Sequence, residues 1–272
     1  MERQDVCILL NSTPKYYHLL PLQLTMIRRY APRLQWPVYF ATEHINHPIT
    51  LKLMVEHGVQ LIVLPPEAHG FLESRAVALS KLPPQILYVL PLQEDFLLDR
   101  KPMYGALVDA LTILDTDRSI GSLRLMPCPG PQESDPVYMK GKPWKILTSQ
   151  DEYIFTYQAT LWRRMDLLTY YTTLLHAIEK EFGPMTPEKR KQIALNSNIG
   201  ENRYGQTCLQ DCLPNVLHLA WPRQGKWSNA VYLCPWPYRP TAVTRGNLEA
   251  FAEELFQREG VKIEKPKGNI LV

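Results

Sequence analysis

The stretch Ile86-Leu87-Tyr88-Val89-Leu90-Pro91-Leu92-Gln93-Glu94-Asp95-Phe96 decides the fold. An apolar, β-favouring run, bounded upstream by Pro83 and Pro84, ends in two adjacent carboxylates. A short run of this kind reads as a buried strand rather than a helix. Carboxylates at the carboxyl end of such a strand stand where open α/β sheets bind ligands. Hard oxygen donors at that point suit Mg²⁺ or Mn²⁺, which keep several waters and complete their shell with phosphate oxygens. The same pair would also serve a solvated turn or a helix cap, so the flanking sequence has to decide.

Upstream, short apolar runs alternate with helical spacings. Val6 to Leu10 reads as a strand closed by Asn11-Ser12-Thr13-Pro14. Tyr16, Leu19, Leu20, Leu24, Ile27 and Tyr30 recur at helical intervals, with Pro21 fit for a first turn and Pro32 as the stop. Val38 to Ala41 is a second strand, Ile49 to His57 a helix stopped by Gly58, and Val59 to Leu64 a third strand. Gly70 to Leu82 is helical and leads into the acidic strand. This β-α-β-α-β-α-β order predicts an α/β fold with a Rossmann-like, mostly parallel central sheet flanked by helices. Its ligand loops would be 11–13, 42–44 and 93–95. The loop after the first strand has no glycine, which argues against a dinucleotide-binding domain and against a P-loop. A nucleotide here would need side chains and a metal to hold its diphosphate.

The second half is less regular. Tyr104 to Leu114 reads as a helix, Ser122 to Met126 as a strand, and Val137 to Met139 with Trp144 to Leu147 as a short hairpin. Tyr153 to Tyr157 reads as a strand leading into a helix that ends at Gly183-Pro184. Pro187 to Ser197 has helical character, Asn198 to Tyr204 is loop-like, and Gly205 to Leu213 is left open. Val216 to Ala220 is a short strand, and Asn247 to Glu259 an amphipathic helix.

The chain has 272 residues, 45% hydrophobic and 21% charged, with a net charge of +3. That composition is ordinary for a globular protein, and the small charge gives no reason to expect nucleic acid as a partner. No basic, apolar leader and no membrane-length apolar run are apparent, so a cytoplasmic location and no membrane span are expected. Five scattered cysteines are expected to be reduced. The oligomeric state is not legible.

Two stretches carry a resemblance. Leu90 to Leu97, with its Gln93-Glu94-Asp95-Phe96 core, resembles the Y-x-L-x-L-Q-E-D-[FY]-F/L signature of GT-A-like glycosyltransferases found in capsule and lipopolysaccharide gene sets and in large DNA viruses. Phe155 to Arg163 is similar to that family's S-L-Q-x-A-[IL]-W-[RK] element, and Glu201 falls where an acidic residue often follows it. The resemblance spans roughly residues 5 to 220. Gln93 departs from it, standing where many such enzymes have the first Asp of D-x-D, as does Tyr157, which replaces a usual Leu.

The resemblance implies a GT-A-like, divalent-metal-dependent glycosyltransferase using a nucleotide-sugar donor, with UDP as the expected nucleotide, a glycan or other hydroxyl acceptor, and Mn²⁺ or Mg²⁺ as cofactor. Asp95 is then the expected direct metal ligand and Glu94 a second, with Gln93 beside the donor. Glu201 is the first candidate base for inverting transfer and Asp211 the second; a retaining enzyme needs neither. Ser12 and Thr13 are candidates for the base or ribose, or a helix cap; Glu43 for ribose hydroxyls; and Arg75 for the diphosphate, or plain surface. Gln158 and Trp162 fall on the acceptor side, though a buried aromatic is the commoner fate at such a junction. Trp221, Trp227, Tyr232, Trp236 and Tyr238 suit either a saccharide face or a packed cap. Residues 1–272 are expected to form one domain, with 1–100 as the nucleotide-binding half, 101–221 as the acceptor side and 222–272 as an extension. The rivals are a non-catalytic binding or scaffold protein and, against the missing glycine loop, a sugar nucleotidyltransferase.

Overall fold

Alternation along the first strand sorts the molecule into layers. In β1 (Val6–Asn11) every residue is buried. Val6, Ile8 and Leu10 enter one core cluster while Cys7 and Leu9 enter the other, as a period of two requires. The computed structural model describes residues 2–66, 68, 70–128, 137–148, 151, 153–184, 186, 205–224, 233–239, 241–244 and 247–261.

The elements after β1 are a 3-10 turn (Pro14–Leu19), α1 (Leu20–Tyr30), β2 (Val38–Thr42), α2 (Pro48–His57), β3 (Gln60–Val63), α3 (Phe71–Lys81) and β4 (Tyr88–Leu92). Then come α4 (Tyr104–Thr116), β5 (Ile120–Arg124), β6 (Lys145–Leu147), β7 (Thr160–Arg163) and α5 (Arg164–Phe182). The chain continues through α6 (Gly205–Cys212), β8 (Leu217–Ala220), β9 (Val243–Thr244), β10 (Asn247–Leu248) and α7 (Ala250–Glu259). Eight strands form one sheet in the order β3-β2-β1-β4-β7-β5-β8-β6, and β9 pairs with β10. β1 to β4 are mutually parallel, as are β5 and β8. β7 runs antiparallel to both β4 and β5, and β6 antiparallel to β8. α1, α4 and α7 cover one face, and α3, α5 and α6 the other. The expected α/β fold with a mostly parallel central sheet between helices is therefore present, with the irregular pairings in the second half.

Gly58 ends α2 in the left-handed conformation at φ 60°, where its N–H reaches back to the last turn. The hairpin expected between 137 and 147 is made: Tyr138 bridges Lys145 in antiparallel sense. Three expectations are corrected. Tyr153 to Tyr157 is not a strand. Tyr153 takes φ 56°, Phe155 stacks on Tyr170 at 4.1 Å, and Arg124 takes the Tyr153 and Ile154 carbonyls. The strand lies further on, at Thr160–Arg163, where β4 and β5 present ladders on both sides. The expected helix from Asn247 starts only at Ala250, because Asn247 and Leu248 pair with β9. The acidic strand itself is five residues, Tyr88–Leu92, and Gln93 to Phe96 is a turn. The stretch left open at Gly205 to Leu213 forms α6. The expected helix at 187–197 and the loop at 198–204 lie outside the described residues. No helix among the described residues is long and apolar enough to cross a membrane.

Candidate functional site

Parallel register brings the site together. Leu10 stands opposite Leu92 and Asn11 opposite Ala41, so the loops leaving β1, β2 and β4 open at one end of the sheet. Ser12, the first loop residue after β1, lies near enough to the Glu94 carboxyl to lower its pKa, and its hydroxyl donates to the Thr13 carbonyl at 3.3 Å. Asn11 is buried and, with Gln93, lines a small cavity beneath the loops. Thr13 is exposed, and although it holds the cap position of the 3-10 turn its side chain makes no capping bond. Glu43 is exposed and pairs with His44 at 3.2 Å.

The turn carrying the carboxylates is pinned from below. Gln23, fully buried in α1, donates from Nε2 to the Gln93 carbonyl and, at 3.4 Å, to that of Phe96. Glu94 is pushed up to about 7, chiefly by burial and also by the Asp95 charge; its own N–H, Ser12 and Arg75 pull the other way. Burial likewise pushes Asp95 up to about 6, against hydrogen bonds from its own N–H and that of Ala242. Asp95 Oδ1 is buried and has no hydrogen-bond partner among the described residues. Buried oxygens are ordinarily bonded, so this one points to an absent proton, ion or ligand.

Arg75 reaches the same region from α3. It is 9% exposed, donates from Nη1 to the Phe71 carbonyl at 2.9 Å and stacks over the Phe71 ring at 3.4 Å. Burial lowers its pKa, while Tyr171, Tyr157 and Glu94 act to restore it. With Asn11, Gln93, Thr156 and Tyr157 it lines the small cavity, whose free volume of about 10 Å³ holds no more than a water. It is therefore not a surface arginine.

The C-terminal segment closes over the turn. Tyr238 stacks on Phe96 at 4.6 Å, and Leu98 bridges Tyr238. The Tyr238 hydroxyl accepts from the Ala159 N–H at 2.9 Å and donates to Gln158 Oε1 at 2.7 Å. Gln158 is thus tied through Tyr238 to Phe96 of the carboxylate turn. Trp162 is 2% exposed in β7, packed against Phe155 and His218, with its edge in the cavity wall. Its ring is buried, the commoner fate of an aromatic at such a junction. Trp221, Trp236 and Tyr238 are buried and form a packed cap; Trp227 and Tyr232 lie outside the described residues. So does Glu201. Asp211 is exposed on α6, a helix that packs on α5.

Ser12, Arg75, Gln93, Glu94 and Asp95 are thus gathered, while Thr13 and Glu43 sit at the rim. Reading the sequence placed Asn11 in a ligand loop without giving it a role, missed Gln23 and Ala242, and left Tyr238 between a saccharide face and a packed cap. Gln23 did carry a signal, since it is a polar residue on the apolar face shared by Leu20, Leu24 and Ile27. Ala242 carried none.

A divalent ion fits this chemistry. The donors are hard carboxylate oxygens, one of them unpartnered, and Mg²⁺ or Mn²⁺ needs only one or two such ligands beside phosphate and water. No group of three or more His, Cys, Asp or Glu side chains able to hold a metal occurs among the described residues. The protein would therefore supply only part of the shell.

No family model matches the chain, and no curated protein matches it in sequence. Among solved structures the likenesses include glycosyltransferases and cytidylyltransferases. An active-site mutant of LgtC matches with 13% identity over 93% of this chain and 95% of that one, at a TM-score of 0.45. Residues 1–349 of Staphylococcus aureus TarS match with 14% identity over 85% of this chain and 64% of that one, at 0.44. Glucosyl-3-phosphoglycerate synthase from Mycobacterium tuberculosis, in complex with Mn²⁺ and UDP, matches with 10% identity over 75% and 80%, at 0.38. At such identities and scores these likenesses assign the chain neither a family nor an activity, and the functional reading rests on its own residues.

Proposed function

We propose that this chain is a glycosyltransferase of GT-A type. It would move a sugar from a nucleotide-diphosphate sugar, with UDP as the expected nucleotide, to a hydroxyl of a glycan or small acceptor. The observation that carries this reading is the buried, unpartnered Asp95 Oδ1 beside Glu94 at the carboxyl end of β4. Asp95 would hold a divalent ion, with Glu94 as a second ligand or a contact to the donor sugar. When bound, Mn²⁺ or Mg²⁺ would offset the negative charge that develops on the departing diphosphate. Ser12 and the Arg75 guanidinium would both favour the ionised form of Glu94. Residues 1–100 would serve the nucleotide, 101–221 the acceptor, and the segment after 222 would brace the turn through Tyr238 and Ala242.

In the inverting form, the acceptor oxygen bonds to the anomeric carbon while the bond from that carbon to the phosphate oxygen breaks. The diphosphate leaves with the electron pair, and a carboxylate takes the acceptor proton. Glu201 is the first candidate for that base and Asp211 the second. A nucleotidyltransferase is the weaker reading, because Asn11 to Pro14 offers no glycine for close approach to a triphosphate.

The test is a thermal-shift titration with UDP, GDP and dTDP, each with and without Mn²⁺, on the native protein and on Asp95→Ala. One nucleotide is expected to raise the midpoint only when Mn²⁺ is present, by about 2.7 kcal/mol of stabilisation at a hundredfold excess over Kd. Asp95→Ala should abolish the response. Mn²⁺-dependent release of nucleoside diphosphate from the matching sugar nucleotide then separates an enzyme from a binding protein. Absence of any nucleotide response overturns the reading.

A further inference from the structure

Surface helices of a globular protein are apolar on the side that meets the core and polar on the other. α2 departs from this. Ile49 and Leu53 turn inward and join the core that α1 covers. The outward side carries Leu51 and Val55, which are 48% and 85% exposed. Four residues apart on a helix, they stand one above the other and form a ridge. Met54 flanks that ridge and is 43% exposed, and Ile45 is exposed just before the helix. Exposed apolar side chains scattered singly are ordinary, whereas a helix face of them marks a contact surface.

Lys52 and Glu56, both exposed, lie one turn apart on the flank of the ridge opposite Met54. Read along the helix, that flank is positive and then negative. Such a pattern complements itself when reversed. Two copies of α2 packed antiparallel, about a two-fold axis level with Met54, set Leu51 of each beside Val55 of the other. Lys52 of each then meets Glu56 of the other, because this rotation keeps the charged flanks on one side, and both ion pairs form together. Parallel packing about a two-fold would instead oppose the charged flank to the Met54 flank. The neighbouring sheet edge is blunted against strand addition: Lys81 Nζ donates to the Val63 carbonyl of the edge strand β3 at 2.7 Å.

We propose that α2 is a self-association face and that the protein forms a two-fold dimer through antiparallel α2 helices. The charge pattern selects the occupant. An anionic lipid surface would pair with Lys52 and repel Glu56, whereas a second copy of this chain pairs both. The apolar ridge supplies the attraction, and the charged flank sets the register and direction. One helix face with two ion pairs is a small interface, so the dimer dissociates on dilution. The inference does not depend on the transferase reading, since none of these residues belongs to the carboxylate turn.

The experiment is sedimentation equilibrium of the full chain over a range of concentrations, without nucleotide or metal. The native protein is expected to show a monomer–dimer equilibrium. Leu51→Ser combined with Val55→Ser should leave a monomer at every concentration. Met165→Ser, exposed on α5, should leave the equilibrium unchanged. Charge reversal is the sharper test. Lys52→Glu and Glu56→Lys each bring like charges together across the axis and should each weaken the dimer by about tenfold or more. The two reversals combined restore both pairs and should return Kd close to the native value, which a role confined to the monomer would not do. A native protein that stays monomeric overturns the proposal; if it then cosediments with phosphatidylcholine vesicles and loses this in Val55→Ser, lipid covers the face instead. A dimer that survives the serine pair, or a combined reversal no tighter than the single ones, overturns it as well. So does growth beyond the dimer, because a two-fold contact closes on itself. If the serine pair fails to fold, the charge series decides the matter.

Discussion

At the scale of single residues, the carboxylate turn holds charge where burial disfavours it. Glu94 sits at about 7 and Asp95 at about 6, both above their ordinary values of 4.5 and 3.8. A carboxyl whose pKa is higher folded than unfolded makes the fold less stable as pH rises. The penalty is absent below about pH 4, grows through the window up to about 7, and is complete above it. Glu94→Gln removes the titrating group while keeping its shape. Its midpoint is therefore expected to exceed that of the native protein at pH 8, by on the order of 1 to 3 kcal/mol, and to converge with it near pH 4. Melting curves across pH 4 to 8 check this, and parallel profiles for the two proteins would refute it. Ion binding has the opposite dependence, because it needs the ionised carboxylate. The Mn²⁺-dependent nucleotide response should accordingly fade as pH falls below about 6. A site that loses stability by standing ready for a ligand is where local rules are expected to break.

At the scale of elements, the informative contact is between the C-terminal segment and the acidic turn. Tyr238 stacks on Phe96, while its hydroxyl satisfies the Ala159 N–H and fixes Gln158. Tyr238→Phe keeps the ring and leaves a buried N–H and a half-buried amide oxygen short of a partner, a loss of about 1 to 3 kcal/mol. The expected outcome is a lower midpoint together with a weaker nucleotide response, since the same segment supplies the Ala242 N–H to Asp95. A lower midpoint with an unchanged nucleotide response would show that this segment braces the fold but not the site. The sequence announces the acidic turn and offers a packed cap containing Tyr238 as one of two readings, but not its contact with Phe96. β1 to β4 and their helices follow local periodicity and local stops such as Gly58, so their order is readable along the chain. β7 is a strand because β4 and β5 flank it, and those partners are separated from it by dozens of residues. Tyr153 to Tyr157 has the better strand composition and is excluded by Arg124, which takes its carbonyls. The carboxylates were legible for the same reason as β1 to β4, and Ala242 was not, because it contributes a backbone N–H rather than a side chain.

At the scale of the molecule, the question is whether the regular first half and the irregular second half unfold together. One core cluster runs from Val6 in β1 to Phe256 in α7 and takes in β4, α4 and β5 on the way. Arg163, 9% exposed at the end of β7, ties the seam: it pairs with Tyr88 of β4 and donates to the Ile120 carbonyl of β5 at 2.9 Å. It also donates to the Asp117 carbonyl at 2.7 Å and to that of Leu114 at the end of α4. A guanidinium can serve several carbonyls at once because its donors are fixed in a fork, and neither Lys nor Met reproduces that. Arg163→Met is therefore expected to lower stability by about 3 kcal/mol or more, since two buried carbonyls and a half-buried one lose a charged donor. It should do so without splitting the transition, because the shared core couples both halves. Far-ultraviolet circular dichroism follows the helices on both sides of the seam. Near-ultraviolet dichroism and tryptophan emission weight the second half, where Trp144, Trp162, Trp221 and Trp236 are buried. Coincident curves from these probes in the native protein and in Arg163→Met support one cooperative unit. Separate curves, with the tryptophan signal lost first, would mean that the first half folds alone and that the seam at β4 and β7 is an interface between two domains.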